Sequence, residues 1–156
     1  ANGDPARFSD YNLPILADSV ADYPGPLAGV LAGLDWAAEQ GAETIVTAAA
    51  DTPFFPKTLV PRLIEASVGM AHPLVLATTP DVARGRIRHP TFGLWPVALR
   101  DDLRAALGEG LRKVVMWTIR HDGREALFSE DQTDLFFNVN THDDLAQARD
   151  LLKDAT

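Results

Sequence analysis

The chain has 156 residues, no cysteine, a hydrophobic fraction of 46% and a formal net charge of -8. The lack of cysteine excludes disulfides, zinc-thiolate sites and thiol catalysis, and the negative charge disfavours contact with nucleic acid or anionic lipid. This length and apolar fraction favour a single folded domain over residues 1–156 and disfavour disorder or membrane insertion. Because the same charge repels phosphate groups, a protein of this composition that acts on phosphates needs a divalent cation or local basic residues.

Strands and helices alternate along the predicted chain. In chain order the predicted elements are a strand (13–17), a helix (26–40), a strand (43–50), a helix (56–66), two strands (73–79 and 91–95), two helices (99–107 and 112–119), two strands (126–128 and 136–140) and a final helix after Thr141. Helices are assigned where apolar residues recur at helical spacing, and strands where short apolar or β-branched runs end at turn residues. Asp144, three residues after Thr141, indicates an N-terminal cap for the final helix.

This alternation predicts an α/β fold in which a mostly parallel sheet carries helices on both faces. The strand at 43–50 supports the arrangement, since it is nearly all apolar or β-branched, as expected when both faces of a sheet are covered. No basic-then-apolar signal segment opens the sequence, and the apolar stretch 25–38 contains Asp35 and is too short to span a bilayer. We therefore expect a cytoplasmic protein with no membrane partner.

Asp51 is the sharpest candidate for a functional residue. Ligands bind beyond the carboxyl ends of the strands in open α/β sheets, and Asp51 comes directly after the predicted strand 43–50. A carboxylate held there suits Mg²⁺, which usually binds through one or two carboxylates and substrate phosphates. The alternative is that Asp51 only caps the helix that begins near Pro56 or braces the turn, and the sequence position alone does not favour either a functional or a structural role.

Two further candidates lie near the first predicted helix. Asp18 ends a predicted strand, although aspartate at such a position is more often only a turn former. The segment from Gly25 to Gly29 is similar to a glycine-rich phosphate cradle at a helix N-terminus. Gly25, Gly29 and Gly33 also recur every four residues, which is more often a sign of close packing between a helix and a sheet.

Two polar segments complete the candidates. Asn138 and Asn140 lie on the same side of a predicted strand, and their amides can read a heterocycle by donating and accepting hydrogen bonds. Without other information, Asn140 more often serves only to start the last helix. The basic segment from Arg84 to His89 suits an anionic substrate, but such a charge run is usually solvated surface.

Five segments stand out in order along the chain. They are Ala1-Asn2-Gly3, Gly25-Pro26-Leu27-Ala28-Gly29, Ala50-Asp51-Thr52-Pro53, His89-Pro90-Thr91-Phe92-Gly93-Leu94-Trp95-Pro96 and Phe137-Asn138-Val139-Asn140-Thr141. Together they resemble the family of molybdenum cofactor guanylyltransferases, and their order and spacing agree with that family over nearly the whole chain.

The resemblance implies a Rossmann-like, three-layer nucleotidyltransferase fold. It implies transfer of GMP from GTP to the phosphate of the molybdopterin cofactor, with release of pyrophosphate, and a catalytic role for Asp51 as the Mg²⁺ ligand. The implied nucleotide-binding residues are Asn2, Asp18, Gly25, Pro26, Gly29 and Asp51, and the implied pterin-binding residues are Asn138 and Asn140. The implied partners are GTP, the molybdopterin cofactor and molybdoenzyme apoproteins.

The sequence departs from the family at its N-terminus. The family begins with a strand and a Leu-Ala-Gly-Gly loop, with an Arg and a downstream Lys, which cradles the triphosphate. The present sequence starts after that loop. We therefore expect residues 1–156 to form an N-terminally incomplete nucleotidyltransferase domain with weak or no turnover.

Other functions remain open from the sequence. The closest is a related cytidylyltransferase or sugar-phosphate nucleotidyltransferase, although Asp51-Thr52-Pro53 favours the guanylyl branch. A different class is a noncatalytic module that binds a pterin or a protein partner. Pterin binding without Mg²⁺-dependent nucleotide binding would favour such a module.

Overall fold

The computed structural model describes residues 5–19, 25–129 and 135–154. Strands and helices alternate in it, as the sequence predicts. In chain order the elements are a 3-10 helix (Pro5–Tyr11), α1 (Pro26–Glu39), β1 (Thr44–Thr47), α2 (Leu59–Ala66), β2 (Val75–Asp81), β3 (Gly85–Pro96), a 3-10 turn (Val97–Leu99), α3 (Arg100–Gly108), α4 (Val114–Arg120), β4 (Arg124–Leu127) and α5 (His142–Asp154). No helix within the described ranges is long and apolar enough to cross a membrane.

The four strands form one sheet in the order β1-β3-β2-β4. β3 is antiparallel to both of its neighbours, while β4 is parallel to β2. The strands β1, β2 and β4 therefore run in one direction, in agreement with the predicted mostly parallel α/β sheet, and β3 runs against them. The reversal follows from the short connection between β2 and β3, because a tight hairpin can join only antiparallel strands.

Helices cover both faces of the sheet, as predicted. Side chains at the start of β2 and just before it alternate between the faces, with Leu74 and Leu76 on one side and Val75 and Ala77 on the other. The first face packs against α1, α3 and α4, with Leu27, Val30, Leu31, Leu34, Leu103, Ala106, Leu107, Val114 and Trp117. The second face packs against α2 and the segment before α5, with Leu59, Leu63, Phe128 and Phe136.

Two predicted strands are wrong. Residues 13–17 have no regular structure, and 136–140 consist of the end of a turn followed by irregular chain. An apolar run becomes a strand only when a neighbouring strand takes up its backbone hydrogen bonds, and no described strand pairs with either segment. Pro14 also lacks an N–H that a ladder would use.

β1 is shorter than the sequence predicts. It ends at Thr47, whose partner in the ladder is Gly93 of β3. Residues 48–50 separate the strand end from Asp51, which lies in a turn. The expectation that Asp51 directly follows the strand is therefore wrong, and contacts beyond the ladder hold it instead.

Candidate active site

The turn after β1 and the segment before α5 meet at Asp51 and Asn138. The hydroxyl of Thr52 donates to Asn138 Oδ1 at 2.7 Å and lies 3.2 Å from Asp51 Oδ1. The backbone N–H of Val139 donates to the carbonyl oxygen of Asp51 at 2.7 Å. Two candidates that the sequence places in separate segments are thus neighbours, joined by the buried Thr52.

Asp51 does not cap a helix. α2 begins at Leu59 rather than near Pro56, and Thr58 precedes its first turn without any side-chain capping bond. The side chain of Asp51 is exposed to solvent. The capping interpretation is therefore wrong, and the carboxylate faces outward beside the Asn138 amide.

An aromatic cluster holds the Asn138 segment against the sheet. Phe136 is 6% exposed and stacks on His89 with ring centroids 4.0 Å apart. Phe92 and Phe128 contact the same ring edge-on, at 4.9 and 5.8 Å. His89 is fixed in turn by a hydrogen bond of 2.9 Å between its Nε2 and the hydroxyl of Thr79.

A bulge in β3 makes this cluster possible. Ala77 of β2 pairs with His89, but the preceding Leu76 pairs with Gly93, so residues 90–92 of β3 have no partner on β2. Pro90 has no N–H to donate and fits such an unpaired position. The bulge gives a structural reason for the motif that begins at His89, which sequence reasoning could not supply.

The start of α5 fixes the backbone at Asn140. The carboxylate of Asp144 accepts the backbone N–H groups of Asn140 at 3.0 Å and Thr141 at 2.8 Å, and the hydroxyl of Thr141 accepts the N–H of Asp144 at 3.1 Å. These hydrogen bonds hold the pKa of Asp144 below its ordinary value of 3.8, and the bond from the Asn140 N–H has the largest effect. The predicted cap is confirmed, and the Asn140 side chain remains exposed.

A cavity of about 400 Å³ lies beside α1. Its walls are mostly apolar, and Asp18 supplies the one ionisable carboxylate among them. The lining residues are Phe8, Tyr11, Leu13, Pro14, Ile15, Leu16, Asp18, Gly29, Ala32, Gly33 and Ala50. The cavity brings together the candidates Asp18 and Gly29, and Ala50 places it one residue from Asp51.

Other predicted nucleotide residues fall elsewhere. Gly25 and Pro26 are exposed and are not among the residues that line the cavity. Asn2 lies outside the described residues. Of the residues predicted to bind the nucleotide, Asp18 and Gly29 line the cavity.

The glycines of α1 have different surroundings. A Cβ atom at Gly33 would lie 3.0 Å from the Ile45 side chain of β1, whereas a Cβ at Gly29 would meet nothing within 4 Å. Close packing on the sheet thus explains Gly33. Gly29 lines the cavity, as Gly33 also does, but it has no such contact with the sheet.

Asp35 tethers the segment that carries Asp18. The hydroxyl of Ser19 donates to Asp35 Oδ2 at 2.7 Å, and Arg104 and Arg100 of α3 lie 2.5 and 3.6 Å from Asp35 Oδ1. This role was not predicted from the sequence, because Asp35 was considered there only as a charged residue that interrupts an apolar stretch. An aspartate inside an otherwise apolar helix was the available signal.

The basic segment at the β2–β3 hairpin belongs to the sheet. Arg86 and Arg88 of β3 reach Glu125 of β4, with N–O distances of 3.3 and 2.6 Å. The backbone N–H of Arg84 donates to Asp81 Oδ1 at 2.6 Å. These contacts favour the interpretation of the segment as surface over that of an anion site.

The described residues contain no group of at least three histidine or acidic side chains that could hold a metal ion by themselves. Asp51 nevertheless has the donor chemistry for Mg²⁺, since its carboxylate is exposed and the amide of Asn138 lies beside it. Mg²⁺ commonly takes one or two carboxylates and completes its shell with water and substrate phosphates. The residues fit a metal that arrives with a phosphorylated ligand.

The chain is similar to several known proteins. Residues 1–124 match a family model described as the MobA-like NTP transferase domain. The chain is 47% identical over 154 residues to the molybdenum cofactor guanylyltransferase of Rhodopseudomonas palustris (strain HaA2), covering 97% of this chain and 70% of that protein. It is 48% identical over 161 residues to the enzyme of the same name from Mesorhizobium japonicum, covering 100% of this chain and 75% of that protein.

Solved structures share the fold. A crystal structure of a protein from Aquifex aeolicus VF5 matches with a TM-score of 0.70 and 20% identity, over 88% of this chain and 68% of that one. The molybdopterin-guanine dinucleotide biosynthesis protein A from Archaeoglobus fulgidus matches with a TM-score of 0.61 and 21% identity, over 83% of this chain and 64% of that one.

Proposed function

The chain belongs to the MobA-like NTP transferase family, and we propose that it is a molybdenum cofactor guanylyltransferase. The reaction transfers GMP from GTP to the terminal phosphate of the molybdopterin cofactor. An oxygen of that phosphate attacks the α-phosphorus of GTP, the bond to the bridging oxygen breaks, and pyrophosphate leaves. The observation that best supports this function is the junction of Asp51 and Asn138 next to a cavity that contains Asp18.

The cavity suits a nucleobase. Its volume of about 400 Å³ lies within the usual range for small-molecule pockets, about 300 to 1,000 Å³. Apolar walls favour a flat heterocycle, and the carboxylate of Asp18 only accepts hydrogen bonds when it is ionised. Guanine offers two adjacent N–H donors, its ring N1–H and its exocyclic amine, which can bond both oxygens of a carboxylate, whereas cytosine offers one exocyclic amine beside the acceptor N3. Asp18 would therefore select GTP over CTP.

Asn138 and Asn140 would bind the second substrate. Both side chains are exposed and follow one another on the segment before α5. An amide donates and accepts hydrogen bonds at once, which suits the mixed donor and acceptor edge of a pterin. Since Asn138 lies beside Asp51, a pterin held there would have its phosphate close to the phosphates of a nucleotide.

The residues would act mainly by positioning the two substrates. Phosphoryl-type transfers gain much of their rate from correct orientation and from neutralisation of charge. Asp51, together with substrate phosphates, would hold Mg²⁺, which offsets negative charge on phosphate oxygens when it is bound. The net charge of -8 makes such neutralisation necessary, because the chain as a whole repels both substrates.

Binding measurements test this function directly. Calorimetry with GTP and with CTP, each with and without Mg²⁺, should show Mg²⁺-dependent binding that prefers GTP. The Asp51→Ala variant should lose that binding, whereas Asp150→Ala, which changes an exposed aspartate of α5 that pairs with Lys153, should keep it. A preference for CTP would favour a cytidylyltransferase. Binding of molybdopterin without nucleotide binding would favour a noncatalytic module.

A further inference from the structure

Thr52 differs from the other buried polar residues of the described chain. The other two are Thr78 and Thr118. The hydroxyls of Thr78 and Thr118 donate to backbone carbonyls, of Ala126 at 3.2 Å and Val115 at 3.0 Å, and so serve the sheet and a helix. The hydroxyl of Thr52, which is 0% exposed, instead contacts two side chains from separate segments.

A hydroxyl has one proton to donate. Asn138 Oδ1 lies 2.7 Å from Thr52 Oγ1 and Asp51 Oδ1 lies 3.2 Å away, so the shorter bond to Asn138 takes the proton. The amide oxygen of Asn138 is thereby engaged, and its Nδ2 hydrogens remain for a ligand. The carboxylate of Asp51 keeps its lone pairs for a cation.

We propose that Thr52 is a positioning residue that orients the Asn138 amide, so that its N–H donors face the pterin substrate beside Asp51. This inference rests on the proposed function. The ligand group that Asn138 recognises is then a hydrogen-bond acceptor, such as a ring nitrogen, a carbonyl or a phosphate oxygen. GTP binding should not depend on this orientation, because Thr52 does not line the cavity that contains Asp18 and its proton goes to Asn138 rather than to Asp51.

The backbone contact between the two segments does not need the hydroxyl. Val139 N–H donates to the Asp51 carbonyl at 2.7 Å, and a side-chain substitution leaves both groups in place. Loss of the Thr52 hydroxyl therefore frees the Asn138 amide without separating the segments. The expected defect is one of orientation at the pterin subsite.

Two variants of Thr52 separate the hydroxyl from the shape of the side chain. Thr52→Val keeps the shape and loses the donor, while Thr52→Ser keeps the donor. In transfer assays Thr52→Val should raise the KM for molybdopterin about tenfold, near the upper end for the loss of one hydrogen bond, and leave the Kd for GTP within about twofold. Thr52→Ser should stay near the wild type. An unchanged KM in Thr52→Val, or an equal loss of GTP affinity, would overturn the inference.

Thr118→Val is the matched control. It also removes a buried threonine hydroxyl, but one that bonds Val115 in α4 and lies outside the site. It should lower the melting temperature without changing the KM for molybdopterin. A similar KM change in both valine variants would mean that general destabilisation, rather than the orientation of Asn138, causes the effect.

A spectroscopic measurement needs no substrate. The Nδ2 protons of Asn138 can be assigned in a ¹H–¹⁵N spectrum by their absence in Asn138→Asp. They should shift in Thr52→Val but not in Thr52→Ser or Thr118→Val, and an unmoved signal in Thr52→Val refutes the orienting contact. If the signal shifts but the wild-type protein binds neither GTP nor molybdopterin, the proposed function fails while the contact stands.

Asn138→Asp keeps the inference testable if Thr52→Val does not fold. The substitution is at an exposed side chain; it retains an acceptor for Thr52 and removes the N–H donors. It should lose molybdopterin affinity as fully as Asn138→Ala. Binding of molybdopterin to Asn138→Asp as tight as to the wild type would show that the donors are not what the substrate uses.

Discussion

The backbone N–H of Val139 donates to the backbone carbonyl of Asp51 at 2.7 Å. This bond joins the turn after β1 to the segment before α5, and it involves no side chain. Substitutions at Asp51 or Asn138 therefore change the chemistry of the junction while the main-chain contact persists. Functional effects at this site can be measured separately from effects on folding.

Asp51→Asn should remove Mg²⁺-dependent nucleotide binding and leave stability nearly unchanged. The side chain is exposed, and exposed substitutions away from caps and buried networks usually change the free energy of unfolding by no more than about 0.5 kcal/mol. The amide matches the carboxylate in size but lacks the charge that a hard cation needs. Calorimetry with GTP and Mg²⁺, beside thermal unfolding of the same samples, measures both effects. Full Mg²⁺-dependent GTP binding by this variant contradicts the assignment of Asp51.

Leucine substitutions at Gly29 and Gly33 should have opposite consequences. A side chain at Gly29 enters open space at the cavity wall, so Gly29→Leu should weaken GTP binding while the melting temperature stays the same or rises, as leucine favours helices more than glycine does. At Gly33 the added atoms meet Ile45 at 3.0 Å, so Gly33→Leu should lower the melting temperature. Thermal unfolding and GTP calorimetry of the two variants measure these effects. Unchanged GTP affinity in Gly29→Leu would mean that the base binds elsewhere.

Local signals in the sequence predicted local structure well. The cap formed by Thr141 and Asp144 and the start of α1 at Pro26 are read from residues within a few positions of each other, and both are confirmed. The apolar runs at 43–50 and 73–79 mark strands that the structure contains in shortened or shifted form. These features depend on neighbours along the chain, which a single sequence displays.

Features that depend on distant partners could not be predicted. The reversed direction of β3 and its bulge after His89 result from pairing with β2, and sequence periodicity does not report pairing. Residues 136–140 have the composition of a strand, but no described strand takes up their hydrogen bonds. Thr52 gave no signal for the same reason, because its partner Asn138 is distant in the sequence. The sequence therefore predicted Asp51 and Asn138 as candidates, but it did not predict the hydrogen bond from Thr52 to Asn138 that joins their segments.

Ser19→Ala should weaken GTP binding without lowering stability much. Ser19 follows Asp18 directly, and its hydroxyl bond to Asp35 is exposed, so its removal frees the Asp18 segment while the pair between Asp35 and Arg104 persists. A loss of about two- to tenfold in GTP affinity is expected from one such hydrogen bond. Ser9→Ala serves as the control, because among the described residues its hydroxyl bonds the adjacent Asp10 and no residue of the cavity wall opposite. Equal GTP affinity in the two variants would mean that the tether does not position Asp18.

The stability of the α5 N-terminus should depend on acid pH through Asp144. Hydrogen bonds from the N–H groups of Asn140 and Thr141 favour the ionised carboxylate and lower its pKa in the folded protein below the ordinary 3.8. A group with a lowered folded pKa contributes stability that is fully present above the unfolded pKa and is lost as the pH falls through the folded pKa. The contribution should therefore be intact above pH 3.8 and disappear progressively below it.

Asp144→Asn isolates this contribution. The neutral amide retains an oxygen acceptor but lacks the charge, so the variant should melt below the wild type at neutral pH, and the difference should shrink as the pH falls below 3.8. Asp143→Asn is the matched control in the same helical turn, because the N–H groups of Asn140 and Thr141 bond Asp144 instead. Melting curves from about pH 6 to about pH 2 for the three proteins measure the effect. A difference for Asp144→Asn that stays constant over this range, or that equals the one for Asp143→Asn, would contradict the role of the carboxylate in fixing Asn140.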